Sequence, residues 1–185
     1  MMQDRLKDAK RRMEGAGKAL ATEFGTVRTG RASTALLDRV TVEAYGTRTP
    51  LNQLAGVNTP ESRLITVQPY DPSIIGAIEK ALMESDIGLT PNNDGKIIRL
   101  PVPMLTEERR KEMVRLVHKM AEEARVAVRN VRKDVLKEFK AEEKEGGISR
   151  DELARAEAEV QKLTDAEVKV IDELLAHKEA EILEV

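Results

Sequence analysis

Three arginines, Arg125, Arg129 and Arg132, recur at steps of four and three in a stretch free of Pro and Gly, so a helix places them on one face. A planar guanidinium offers paired N–H donors that match phosphate oxygens, which the point charge of Lys does not. The stripe runs back through His118, Arg115 and Lys111, with Glu122 the one acid among them and Glu138 the next on that face. The chemistry this allows is capture of a polyanion. Catalysis has no comparable support: His118 and His177 lie in charged helical stretches without a carboxylate or metal-ligand constellation at workable spacing. Cysteine is absent, and no glycine loop stands between a strand and a helix to cradle a phosphate. No catalytic residue, metal site or cofactor is expected.

The element that must hold these arginines is long. Thr106 reads as an N-cap with Glu107 and Glu108 at the positive end of the helix dipole, and no helix breaker follows before Gly146-Gly147. That span is about 40 residues, or roughly 60 Å at 1.5 Å per residue. A rod of this length needs partners, and Met113, Val117, Met120, Ala124, Ala127, Val131 and Val135 mark the seam where they pack. One partner begins at Ser149-Arg150-Asp151-Glu152, a capping box, and carries Leu153, Ala156, Val160, Leu163, Val170, Ile171, Leu174, Leu175 and Ile182. The short glycine turn makes the two antiparallel. The other runs from Met2 to about Thr29-Gly30 on Met2, Leu6, Ala9, Met13, Ala16, Leu20, Phe24 and Val27, weakened at Gly15 and Gly17.

Between the first and second helices the long period vanishes. Val40–Tyr45 alternates as a strand until Gly46, Thr49–Ala55 reads as a second, interrupted strand, and Arg63–Gln68 as a third. Asp71-Pro72 caps a helix that buries Ile74, Ile75, Ile78, Ala81 and Leu82 and stops between Ser85 and Gly88. Asn92-Asn93-Asp94-Gly95 is a turn ahead of a last strand, Lys96–Leu100, ended by Pro101 and Pro103. The expected fold is α+β: an antiparallel three-helix bundle from residues 1–30 and 106–185, with a small β/α/β domain, 31–105, inserted through hinges near 30–33 and 102–105.

Charge is divided along the chain. Residues 1–30 hold 7 basic and 4 acidic side chains (+3), 31–105 hold 7 and 8 (−1), 106–147 hold 12 and 10 (+2), and 148–185 hold 5 and 11 (−6), giving the net −2. A basic footprint is therefore available on the first and middle helices although the total is acidic. Aromatics are only 2% and Trp is absent, so base-stacking platforms are excluded and recognition falls to the phosphate backbone of a structured RNA. A helical scaffold or holdase that clasps protein partners is the alternative, distinguished by salt-insensitive binding. The N-terminal stretch lacks a signal-peptide core and no apolar run approaches the roughly 18 residues of a membrane span, so a cytoplasmic protein is expected.

Several motifs together point to a family. Val27-Arg28-Thr29-Gly30-Arg31-Ala32, Asn93-Asp94-Gly95, Leu105-Thr106-Glu107-Glu108-Arg109-Arg110, Val128-Arg129-Asn130-Val131-Arg132-Lys133 and Val160-Gln161-Lys162-Leu163-Thr164-Asp165 resemble the bacterial ribosome recycling factor family, in order and over the whole length. The resemblance implies an L-shaped molecule, tRNA-like in outline, that acts as a monomer without cofactor, membrane or small-molecule substrate. It implies binding to the large ribosomal subunit after termination, and splitting of the ribosome together with elongation factor G and its GTP hydrolysis. Carried over, Arg132 and Arg129 correspond to RNA contacts, with Arg28 and Arg31 as weaker candidates, and Gly30 with Val102, Pro103, Met104 and Leu105 as the hinge; Arg125 joins the RNA-binding candidates from the stripe itself. The family often has a second Arg where this chain has Lys133, which keeps the charge and loses the fork.

Overall fold

The computed structural model describes residues 2–184. In chain order the elements are α1 (Met2–Gly25), β1 (Thr41–Ala44), β2 (Thr47–Pro50), the single turn α2 (Leu51–Leu54), β3 (Ala55–Glu61), β4 (Leu64–Pro69), α3 (Ile75–Glu84), β5 (Asn92–Asn93), β6 (Ile98–Pro101), α4 (Glu107–Lys144) and α5 (Arg150–Leu183). They gather into two compact units, one through Val27 and over Lys111–Leu183, the other over Arg28–Arg110 with Glu184. The class is the expected α+β. No helix among the described residues is long and apolar enough to cross a membrane.

The first unit is a bundle of α1, α4 and α5. Local chemistry sets the ends of its long helices. Thr106 Oγ1 accepts from Arg109 N at 3.1 Å. At the other end of α4, Gly146 has φ +79°, and the N–H groups of Gly146 and Gly147 return to the carbonyls of Glu143 and Glu142, a Schellman closure that only a left-handed residue permits. Ser149 and Glu152 exchange backbone-to-side-chain bonds of 2.8 and 3.1 Å, the reciprocal box that opens α5. Cross-helix pairs fix direction: Arg12–Asp134 and Arg5–Glu142 run α1 against α4, and Lys140–Glu157 and Arg125–Asp172 run α4 against α5.

The packing rows differ from expectation in four places. In α4 the buried row is Met113, Val117, Ala121, Ala124, Val128, Val131, Val135 and Phe139, so Ala121 and Val128 replace Met120 and Ala127. A helix wedged between two neighbours buries a wider stripe than a strict coiled-coil seam. In α5, Thr164 and Glu167 lie in the buried row, while Val170 is exposed. In α1, Gly17 takes the place expected for Ala16, because a Cβ there would stand 2.0 Å from Glu167 Oε1. Finally, α1 ends at Gly25 rather than near Thr29: Thr26 and Val27 close the last turn with bonds to Glu23 O and Phe24 O, and the Thr26 hydroxyl donates to Glu23 O at 2.7 Å.

The second unit holds a two-stranded hairpin, β1-β2, and a four-stranded antiparallel sheet in the order β3-β4-β6-β5. Tyr45 and Gly46, at φ 53° and 77°, form the hairpin turn, so the strand breaks there and returns as β2. The interrupted second strand resolves into β2, the turn α2 and β3. β3 itself runs to Glu61, past the expected end at Ala55; Pro60 is tolerated because the register shifts between Asn58 and Glu61. Asn92-Asn93, expected as a turn, forms the short edge strand β5. Asp71 caps a 3-10 turn, Pro72–Ile74, that leads into α3. The unit's core is aliphatic, with Val42, Ile65, Val67, Ile78, Leu82, Ile98 and Leu100 fully buried.

Candidate nucleic-acid interface

The α4 face carrying Arg125, Arg129 and Arg132 is completed by side chains of α5, and the three guanidiniums end in different electrostatic states. Arg125 is the most enclosed, its side chain 18% exposed. Its Nε and Nη2 both donate to Asp172 Oδ1, at 2.9 and 2.6 Å, and Nη1 donates to Glu122 at 3.1 Å. Burial lowers its pKa, but the hydrogen bonds to Asp172 and Glu122 outweigh that and the net shift is upward. Two carboxylates thus neutralise this cation.

Arg129 keeps more of its field. Nη1 donates to the other oxygen of Glu122 at 3.3 Å, so one carboxylate is shared between two arginines, and half the Arg129 side chain is open to solvent. Arg132 is half-buried and meets no carboxylate among the described residues. Its Nη1 donates at 3.3 Å to the amide oxygen of Gln161 on α5, a neutral partner. Lys133 is exposed beside it. Further along α4, Arg115 is exposed and His118 Nε2 lies 3.0 Å from Glu179.

Arg28 and Arg31 belong to the other unit. Arg28 donates to the carbonyls of Asp86 and Ile87, at 3.2 and 2.7 Å, tying down the loop after α3, and Arg31 stands 3.8 Å from Glu184. The candidate hinge residues lie in that unit too. Gly30 has φ +78°, and a Cβ on it would sit 3.3 Å from Leu105 Cγ. Ala32 N donates to Ser62 O at 2.7 Å and Val102 N to Arg63 O at 2.8 Å, so both crossings are pinned to the same β3–β4 turn. Pro103, Met104 and Leu105 have no regular structure, and Met104 is exposed.

The α5 contributions, Gln161 and Asp172, were not singled out as site residues in the sequence. A signal for Gln161 existed: it lies as far after Gly147 as Arg132 lies before Gly146, so folding α4 back on α5 about that turn brings them level.

Comparison with known proteins agrees with this architecture. The family model for ribosome recycling factor matches residues 20–183. The ribosome-recycling factor of Rubrobacter xylanophilus is 59% identical over 180 residues, 97% of each chain. That of Carboxydothermus hydrogenoformans is 54% identical over the full length of both. Among solved structures, a ribosome recycling factor in solution matches with a TM-score of 0.79 at 43% identity, covering 100% of this chain and 98% of the other. The Thermus thermophilus factor, described with Escherichia coli elongation factor G as bound to the E. coli post-termination complex, matches with a TM-score of 0.67 at 44% identity over 99% of both chains. Helix order, inserted sheet and full-length identity converge, and this chain belongs to the ribosome recycling factor family.

Proposed function

We propose that this chain binds the large ribosomal subunit of post-termination complexes through ribosomal RNA and, with elongation factor G and that partner's GTP hydrolysis, separates the ribosome into subunits. The observation that carries this reading is the arginine face of α4, where Arg132 keeps its full charge and Arg129 most of it on a rod of 38 residues. Phosphates bind such unneutralised guanidiniums by charge-assisted, paired hydrogen bonds. Arg129 and Arg132 are the primary contacts in this proposal. Arg125 contributes less because two carboxylates neutralise it, and Arg28 and Arg31 because they lie in the second unit, turned to the carbonyls of Asp86 and Ile87 and to Glu184.

The chain acts mechanically and not as an enzyme; the bond-breaking chemistry belongs to the GTPase. It works in the cytoplasm as a monomer. Domain I comprises residues 1–30 and 106–185 and domain II residues 31–105, joined by a hinge at Gly30 and Val102–Leu105. The bonds from Ala32 and Val102 to the Ser62-Arg63 turn hold the inner ends of both crossings. Flexion therefore concentrates at Gly30, Pro103, Met104 and Leu105, outside those anchors. Sedimentation of post-termination ribosomes tests the reading. Subunits should appear only when this protein, elongation factor G and GTP are all present. Intact ribosomes under that condition would overturn it.

A further inference from the structure

We infer that Gln161 is a positioning residue for Arg132: it orients the guanidinium of the RNA contact without cancelling its charge. The inference rests on the reading of Arg132 as a phosphate-binding residue.

The three arginines of the α4 face share one chemistry and differ in their internal partner. Two carboxylates hold Arg125 and one of them, Glu122, is shared with Arg129; an ionised carboxylate orients a guanidinium while cancelling part of its charge. Arg132 is held by a neutral amide, which accepts one of its five N–H bonds and leaves its net charge and four donors available.

Gln161 suits that role because its own orientation is fixed. Its Nε2 donates to Asp165 Oδ1 at 2.8 Å, one helical turn further along α5. Asp165 is an acceptor only, so the amide must turn its NH2 toward Asp165 and its oxygen toward Arg132. Both neighbours dictate the same amide orientation. The amide also keeps an acid one step away: Asp165 fixes Gln161 but has no hydrogen bond or ion pair with Arg132. The row Asp165, Gln161, Arg132 thus passes order to the cation and withholds the counter-charge. A rotamer-rich side chain fixed in advance loses less freedom when a phosphate arrives.

The test measures binding to isolated large ribosomal subunits over a series of monovalent salt concentrations at fixed magnesium, alongside urea unfolding of each variant. Arg132→Ala should weaken binding about tenfold and make the plot of log affinity against log salt shallower by about one, the signature of one lost phosphate contact. Gln161→Glu leaves Arg132 in place but converts its partner to a carboxylate. It should also weaken binding about tenfold with the same loss of slope, while stability stays near wild type, because the ion pair with Arg132 offsets the lost amide bond to Asp165 and the like charge beside it. Gln161→Ala keeps the charge and loses the orientation, so binding should fall about threefold with the slope unchanged. A purely structural role for Gln161 would instead move unfolding and leave the salt slope alone in both variants. Wild-type affinity and slope in Gln161→Glu, with Arg132→Ala impaired, would overturn the positioning role alone. Wild-type binding by Arg132→Ala would overturn the RNA reading and the positioning role with it.

Discussion

Asp172→Asn should pull stability and binding in opposite directions. The substitution keeps the shape of the side chain and removes the charge that holds Arg125 by two donors at 2.9 and 2.6 Å. Hydrogen bonds to charged groups contribute about 1.5–3 kcal/mol in favourable settings. Arg125 is largely enclosed, but the Asp172 side chain is 54% exposed, so solvent screening reduces the contribution of the pair. Glu122 also remains as a second anchor. The expected loss in unfolding free energy is therefore about 1 kcal/mol, read by urea so that salt does not mask the pair. Binding should respond the other way. Arg125 regains a net positive charge beside Arg129 and Arg132, so affinity for large ribosomal subunits should rise at low salt, with a steeper salt dependence by up to about one unit of slope. Lower stability with unchanged affinity and slope would refute the placement of Arg125 on the RNA-facing side of α4.

Three further outcomes follow from the packing. Gly15→Ala should stabilise the bundle by about 1 kcal/mol, because a Cβ there meets nothing within 4 Å; Gly17→Ala should gain less, since the new methyl must displace Glu167, and equal gains in thermal unfolding would contradict that contact. Burial, aided by Glu14 and opposed by Lys18, raises the Glu167 pKa, so the folded state binds this proton more readily than the unfolded chain. Its stability contribution is best at acid pH and declines as pH rises through the raised value; Glu167→Gln should flatten stability against pH just above the ordinary glutamate range in urea titrations, and an unchanged profile would refute the buried carboxyl. Gly30→Ala should cost the second unit about 1–2 kcal/mol through the left-handed backbone alone, and a neutral effect on unfolding would show that φ at this position relaxes freely.

The parts of the fold that read directly from the sequence are those fixed by local chemistry. Thr106, Gly146-Gly147 and the Ser149–Glu152 box satisfy their own helix ends, and each operates within a few residues. What sequence reasoning missed depends on partners distant in the chain. Strand β3 carries Gly56, Asn58 and Pro60, poor strand formers that its pairing with β4 overrides. Gly17 reads as a weak point of α1 until Glu167, far along the chain, occupies the space its missing side chain leaves. The arginine stripe was visible as a pattern of charge. The distinction between a neutralised Arg125 and a charged Arg132 was not, because it resides in which α5 side chain stands opposite each one.

The division of the bundle between the two ends of the chain also sets a timetable. Helix α1 is made first, with its apolar row of Leu6, Ala9, Met13, Leu20 and Phe24, but α4 and α5 follow only after Arg28–Arg110 have been synthesised. At about 5–20 residues per second that is an interval of roughly 4 to 17 s before the first residues of α1's partner helices are made. The apolar core of the sheet unit lies between Leu37 and Leu100, and α4 and α5 form a local hairpin about a five-residue turn, Glu145–Ser149. Docking of α1 is the long-range step of the first unit, and a folded second unit shortens the loop it must close, because Ala32 and Val102 are already held on one turn. The newborn chain thus has the sheet core of its second unit in hand before its first unit can close, and its opening segment waits longest for its place.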